Sequence, residues 1–241
     1  MKRTPPVTFA RRVARRTVGK FTAGTFAAGI FALAAALPAH AESISAIAQV
    51  QGWVNSNGGS NEATPLGNTF TGNETGMRFN SWAAFFIPAG TTWASATLSL
   101  SPSVYGNAPP SVIGLFDVEG GLQPLLNTFE PGTGVFADLG SGTRYAAATL
   151  HDSPVDISLN GAALADINAL AGAYFVIGFT NQTLNAVPVE AGDQGIYLGG
   201  IRNEPYLELT LSTVPAVPEP GTYAMLLAGL AVAGVAARRR R

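Results

Sequence analysis

The stretch Ala94-Ser95-Ala96-Thr97-Leu98-Ser99-Leu100-Ser101 decides the architecture. Apolar residues at 94, 96, 98 and 100 alternate strictly with hydroxyl-bearing residues at 95, 97, 99 and 101. A period of two puts the two sets on opposite faces of an extended chain, so the segment reads as a strand with one buried face and one wet face. Leu207, Leu209 and Leu211 alternate with Glu208, Thr210 and Ser212 in the same way, and Ile44, Ala46, Ala48, Val50 and Val54 read as one more alternating run. Met77 to Ile87, with Trp82, Phe85 and Phe86, stops at Pro88-Ala89-Gly90. Val112 to Val118, Gly134 to Leu139, Arg144 to Leu150 and Val155 to Leu159 are further strand candidates. Tyr174 to Phe179 is almost continuously apolar, which is the pattern of a strand buried on both faces.

The connections fit the same picture. Gly and Pro, 28 and 16 residues, are spread between these short runs as turn signals. Residues 55–73 are rich in Gly, Asn and Thr and read as a long loop. One helix is expected: Asn160 is a good N-cap, Ala162 to Ala171 are helix formers with Leu164, Ile167 and Leu170 on one face, and Gly172 is a natural stop. About nine strands and one short helix predict an all-β, antiparallel β-sandwich of jelly-roll type over residues 42–213.

Charge is distributed unevenly. Seven of the 14 basic residues lie between Met1 and Lys20, and four are Arg238 to Arg241. Only Arg78, Arg144 and Arg202 remain in residues 42–216, against 14 of the 15 acidic residues, a net charge of −11. A domain this acidic repels phosphate backbones, which excludes nucleic acid as a partner. There is no cysteine, so disulfides, thiolate chemistry and cysteine-based zinc sites are excluded as well.

The two ends read as addresses. A basic stretch from Lys2 to Lys20 precedes the uncharged run 21–37, and Pro38 follows. Ala39 and Ala41 supply the small residues three and one before a cleavage point, so residues 1–41 read as a signal peptide cut before Glu42. After Arg15-Arg16 the chain has Val18-Gly19 where a twin-arginine signal carries a bulky apolar pair, which favours general secretion. At the other end, a Pro-rich linker over 214–221 contains Pro218-Glu219-Pro220, which disfavours helix and keeps that piece extended. Residues 222–237 are uncharged and read as a transmembrane helix. At 1.5 Å per residue it spans roughly 24 Å, short of the ~30 Å hydrocarbon core. Arg238, Arg239, Arg240 and Arg241 act as a cytoplasmic membrane stop. Both ends inside leaves the acidic middle outside.

The order Pro-Glu-Pro, short helix, arginine cluster over 217–241 resembles the PEP-CTERM sorting signal of Gram-negative bacteria. The resemblance implies that Pro218, Glu219 and Pro220 are recognised by an exosortase. It also implies that the precursor is anchored in the inner membrane, and that the processed protein is released to the cell surface or an exopolysaccharide matrix. Signal peptidase and exosortase would then be its processing partners. The central region is similar, more weakly, to uncharacterised sandwich domains of PEP-CTERM proteins. The segments that carry this are Phe85-Phe86-Ile87-Pro88 leading to Ala96-Thr97-Leu98-Ser99-Leu100, then Leu115-Phe116-Asp117-Val118, residues 136–143 and Asn160-Gly161-Ala162-Ala163-Leu164. That likeness implies a sandwich and no established activity.

Catalytic constellations are sparse. His40 leaves with the signal peptide, so His151 is the one histidine base, and Asp152 beside it on a strand would point to the other face. Gly140-Ser141-Gly142 lacks the spacing of a nucleophile elbow. Glycoside hydrolysis needs paired carboxylates, for which Asp117, Glu119, Glu130, Asp138, Asp152, Asp156 and Asp193 are available. No cofactor is expected. The same acids could hold a structural calcium ion, but no Asp-x-Asp-x-Asp-Gly loop is present. Sugar binding would use exposed aromatics, with Trp53, Trp82, Trp93, Tyr105, Tyr145 and Tyr197 as candidates and core packing favoured for Trp82. The expectation is a non-enzymatic exported protein with a structural, adhesive or polysaccharide-associated role. A secreted polysaccharide-active enzyme using paired carboxylates is the alternative.

Overall fold

The alternating Leu residues form the smaller of two sheets. In the computed structural model β5 (Ser95–Leu100) lies between β12 (Leu207–Ser212) and β9 (Val155–Ser158), and β1 (Ser43–Ile47) pairs with the far side of β12. The residues described are 41–61, 67–126, 129–189, 192–199, 207–214 and 220–239. The expected signal helix, Ala39, Pro218, Glu219, Arg240 and Arg241 lie outside them. The chain divides into two units, His40–Ala216 and a second made of Met1–Ala39 with Val217–Arg241.

The larger sheet is built around β4 (Met77–Phe86). Residues 81–84 of β4 pair with β10 (Tyr174–Asn181) along one edge and with β2 (Val50–Asn55) along the other. Phe79 pairs at once with Asn55 of β2 and Gly72 of β3 (Phe70–Glu74), so β3 and β10 share the edge opposite β2. The sheet therefore forks at β4. One wing continues from β3 to β11 (Gln194–Tyr197) and β6 (Ser103–Gly106). The other runs from β10 to β7 (Ser111–Phe116) and β8 (Arg144–Leu150). Every pairing is antiparallel, and the all-β sandwich expected from the sequence is what forms.

Between the sheets, Leu98, Leu100, Leu209 and Leu211 meet Ala83, Phe85, Ile113, Leu115, Phe175, Ile177 and Phe179, all essentially without solvent contact. The second face of the larger sheet is covered too. Val54, Trp82, Ala84 and Val176 pack against Leu125 and Leu139, from a segment holding a 3₁₀ turn (Gln123–Leu125) and helix α1 (Thr133–Asp138). Residues 79–85 of β4 and 175–181 of β10 are buried throughout as a result, which explains why Tyr174 to Phe179 carries no alternation.

Three expectations are corrected here. The strand expected over 134–139 is instead helix α1 (Thr133–Asp138) with Leu139 as its C-cap: Val135 and Leu139 stand four apart, so the same short apolar run serves either period. The run from Ile44 to Val54 is two strands in different sheets. At the crossing the Ala48 N–H donates to Leu207 O of the small sheet, and the next amide, Gln49 N–H, donates to Ala84 O of the large one, both at 2.9 Å. The loop expected over 55–73 ends early, because β3 begins at Phe70. Twelve strands are found among the described residues where about nine were expected; β3, β6 and β11 are short and rich in Gly and polar residues. The expected helix is α2 (Gly161–Ala169), and the Asn160 side chain caps it, accepting from the Ala162 and Ala163 amides. Helix α3 (Gln182–Asn185), capped by Asn181, was not anticipated.

In the second unit, helix α4 runs Pro220–Arg238. Pro220 begins the helix instead of ending an extended linker, in keeping with proline's tolerance at a first helical position. Among the described residues no helix is long and apolar enough to cross a membrane. The transmembrane helix expected over 222–237 is corrected accordingly: a helix forms there, but nine of its 19 residues are Ala or Gly and it extends only about 28 Å.

Gly178 in β10 tests the cover over the large sheet. A Cβ there would lie 2.6 Å from Leu139 O and 2.9 Å from Leu139 Cα, both backbone atoms that cannot swing aside. Gly178→Ala should lower stability by about 1–3 kcal/mol, measured by urea unfolding. An unchanged midpoint would mean that the 118–140 segment is not seated on β10.

Candidate binding surfaces

The structure divides the six candidate aromatics sharply. Trp82, Trp93 and Tyr145 are buried, so Trp93 and Tyr145 are withdrawn as sugar-stacking residues. Trp53 of β2, Tyr105 of β6 and Tyr197 of β11 are partly exposed and are joined into one aromatic group through the buried rings of Phe79 in β4 and Phe70 in β3. Phe70 sits at its centre, 5.5 Å from Tyr105, 5.1 Å from Tyr197 and 5.4 Å from Phe79, and Trp53 stacks edge-on against Phe79 at 4.9 Å. Tyr105 and Tyr197 meet edge to face at 5.8 Å. Gly195 makes this possible: a Cβ there would collide with the Phe70 ring, so only glycine lets that ring lie over β11.

The strip has a polar border. Tyr105 donates its hydroxyl hydrogen to Glu74 Oε1 at 3.0 Å, and this bond, then the Glu74 charge, holds the phenol above its usual range. Burial does most to raise Tyr197, with the Glu74 charge adding and a hydrogen bond from Asn68 opposing. Asp193 accepts the Thr75 amide hydrogen at 2.8 Å and so braces the turn between β3 and β4, where Thr75 has a φ of 51°. Rings that are apolar on the face and hydrogen-bonding at the rim suit ligands with alternating C–H and O–H surfaces.

A second locus lies on the other wing. A cleft of about 350 Å³ is lined by Asp117 beyond β7, Tyr145 of β8, Asp166 and Leu170 of α2 and its end, and Tyr174 of β10. Tyr145 donates to Asp166 Oδ2 at 2.6 Å. Burial, that bond and the charges of Asp166 and Asp117 push the phenol far up, so Tyr145 stays protonated. Asp117 Oδ1 accepts the Thr143 amide hydrogen at 2.7 Å, while the Asp117 amide donates to Thr143 O at 3.0 Å. Gly142, at φ 88°, gives the carboxylate the room that a Cβ would fill.

The remaining acids are distributed over the surface. Asp138 Oδ2 accepts the Glu119 amide hydrogen, Asp156 accepts from the Ser99 hydroxyl, and Asp152 Oδ1 accepts the Val104 amide hydrogen. His151 Nδ1 lies 3.7 Å from Asp152 Oδ2, with both side chains about half exposed. Ser141 donates to Ala137 O, closing the end of α1, so residues 140–142 form a helix-end turn. Among the described residues no three His, Cys, Asp or Glu side chains converge to hold a metal ion. Asp166 was missed in the sequence because nothing in a short Ala-rich helix marks an acid that faces a tyrosine on a distant strand.

These surfaces belong to an acidic β-sandwich followed by a short helix and an arginine cluster. Residues 216–241 match the family model for the PEP-CTERM protein-sorting motif. The tail is that motif, and it marks an exported protein, sorted by exosortase, whose precursor is held at the membrane before processing. No curated protein matches the chain.

Asp138 offers a pH test of the 117–142 region. Burial, then the charges of Asp117 and Glu119, hold its proton above the usual range, against the opposing Glu119 N–H bond. A carboxyl raised in the folded state does not affect stability at acid pH, where folded and unfolded chains are both protonated. It destabilises progressively as pH rises from about 4 through the raised value. Asp138→Asn keeps an oxygen for the Glu119 amide and removes the charge. It should melt higher than wild type at pH 7, with the gain vanishing below about pH 4. An equal gain at both pH values would show that charge is not its cause.

Proposed function

We propose that the sandwich is a non-enzymatic, polysaccharide-associated component of the cell surface or matrix, delivered there by two removable ends. The observation that carries this is the group of partly exposed rings Trp53, Tyr105 and Tyr197, backed by the buried Phe79 and Phe70 and bordered by Glu74, whose exposed ring surface suits stacking on sugar faces.

The bonding at the domain's ends supports their removal. Glu42, the residue after the expected signal cleavage, donates its amide hydrogen to Thr213 Oγ1, and the Thr213 amide donates to Glu42 O, both at 2.9 Å. The two ends of the sandwich are thus clipped together beside β1 and β12, so cutting before Glu42 and after Thr213 leaves every strand intact. A helix of marginal apolar length closed by arginines serves as a temporary hold.

A polysaccharide-active enzyme is the second reading, favoured by one observation: Asp117 and Asp166 line the same cleft. It requires the release of new reducing ends from matrix polysaccharide. The binding reading requires retention without cleavage.

The test uses mature protein recovered from the medium, whose mass should lack residues 1–41 and Arg238–Arg241. Trp53→Ala combined with Tyr197→Ala should weaken retention on matrix polysaccharide by about tenfold, roughly 1.4 kcal/mol, with the fold unchanged by circular dichroism. Undiminished retention by a folded double variant would rule out the strip as the binding surface.

A further inference from the structure

Acid, and no base, borders the exposed rings. Tyr105 donates its hydroxyl hydrogen to Glu74 Oε1 at 3.0 Å, and Asp193 accepts the amide hydrogen of Thr75, the residue after Glu74, at 2.8 Å. The Glu74 bond does most to raise the Tyr105 phenol, and the charges of Glu74 and Asp193 add to it; at Tyr197 burial leads and the Glu74 charge adds. Both carboxylates therefore lie within electrostatic reach of the rings. The strands β2, β3, β6 and β11, which carry Trp53, Phe70, Tyr105 and Tyr197, hold no Lys or Arg. Arg78 precedes Phe79 on β4, so its side chain leaves from the opposite face, and its Nη2 donates to Val187 O at 3.2 Å. Among the described residues neither Glu74 nor Asp193 forms an ion pair.

Glu74 has two separable effects on this surface. Its hydrogen bond fixes the Tyr105 ring, which stands at 88° to Phe70 and 78° to Tyr197. Its charge bears on which chains can approach. A carboxylate offers about four acceptor positions, and the Tyr105 hydroxyl fills one of them. Hydroxyls of a sugar lying on the rings therefore find further acceptors at the rim. A uronate unit in the same place brings its own carboxylate, an acceptor with no hydrogen to give, against a like charge. Like charges set face to face are a general means of suppressing wrong partners. The net charge of −11 over residues 42–216 extends the same repulsion beyond the contact itself.

We propose that the aromatic group selects uncharged glycan chains and excludes polyuronates, with Glu74 as the selecting residue and Asp193 reinforcing it. This rests on the polysaccharide reading above and adds to it the class of chain that is bound. Glu74 is also the positioning residue for Tyr105, and substitution separates the two roles. Gln keeps an oxygen for the Tyr105 hydroxyl and drops the charge, whereas Ala removes both.

The mature protein is titrated calorimetrically at about pH 7, where carboxylates are ionised, with a galacturonate oligomer and its methyl ester. Esterification removes the charge and keeps the sugar ring, so the pair reads charge alone. At low salt, wild type should bind the ester at least about tenfold more tightly than the acid. That preference should shrink at about 1 M salt, where the screening length falls to about 3 Å. Glu74→Gln should cut it to about threefold or less by raising affinity for the acid, with the ester unaffected. Asp193→Asn, whose side-chain oxygen still accepts the Thr75 amide hydrogen, should cut it by a smaller factor. Glu74→Ala should weaken the ester as well, because the Tyr105 ring is released. Trp53→Ala with Tyr197→Ala should lose both ligands. Equal affinity of wild type for acid and ester, or a preference that survives Glu74→Gln, would overturn the proposal and leave binding by the rings standing. Ester binding that survives the double aromatic substitution would place the sugar elsewhere and overturn both readings, as would a wild type that binds neither ligand.

Discussion

The centre of strand β4, residues 81–84, has no direction left that faces water. Its residues 81–84 are hydrogen-bonded to neighbours on both edges, and residues 79–85 are buried on both faces. Burying side chains such as Trp82 and Phe85 contributes on the order of 1.5–3 kcal/mol each, and polar groups carried in with them must be satisfied locally. Ser81 donates its hydroxyl hydrogen to Phe70 O at 2.7 Å and Asn80 Nδ2 donates to Phe136 O at 2.9 Å. The first bond ties β4 to β3 and so to the wing bearing the aromatic strip. The second ties it to the helical cover on the far face of the sheet. A ten-residue strand long enough to serve β3 and β10 in succession along one edge is what makes the fork.

The fork separates the two candidate surfaces. The wing of β3, β11 and β6 is short, and its packing is aromatic, with Phe70 locked over Gly195 and ringed by residues that stay partly in solvent. The wing of β10, β7 and β8 is mostly core. Its cleft arises just past the end of β7, at Asp117, near the start of β8, at Tyr145, where α2 presents Asp166 and β10 begins at Tyr174. Strand ends converge there because antiparallel neighbours start and stop at the same edge. Elsewhere, His151 sits in an exposed turn beside Asp152, and Ser141 closes a helix.

The small sheet was legible from the sequence because its strands have one wet face. Leu98 and Leu100, like Leu209 and Leu211, alternate with hydroxyl and acidic residues, and the period of two has no competing reading. The larger sheet was legible where burial on both faces produces a continuous apolar run, as at Tyr174 to Phe179. It was not legible at β3 (Phe-Thr-Gly-Asn-Glu) or β11 (Gln-Gly-Ile-Tyr), whose glycines and amides look like loop and whose stability comes from neighbours far away in sequence. The crossing at Ala48-Gln49 was hidden because the alternation continues through it while the chain changes sheets. For the same reason the aromatic strip could be named only residue by residue. Tyr105 and Tyr197 meet through register, which no local pattern encodes. The tail was the easiest part to read, since its signal is linear: a motif, a helix and a charge cluster in order.

The sandwich is a compact unit, His40–Ala216, and β4 with β10 is where the structure concentrates its stability. Native-state hydrogen exchange measures this directly. The amides of residues 81–84 and 176–179 should exchange last, only through global unfolding. Those of β6 and β11 should exchange earlier, through local opening of the aromatic wing. If the β6 and β11 amides proved as protected as those of β4, or if β4 exchanged before β5 and β12, the spine would lie elsewhere and the forked-sheet account would be wrong.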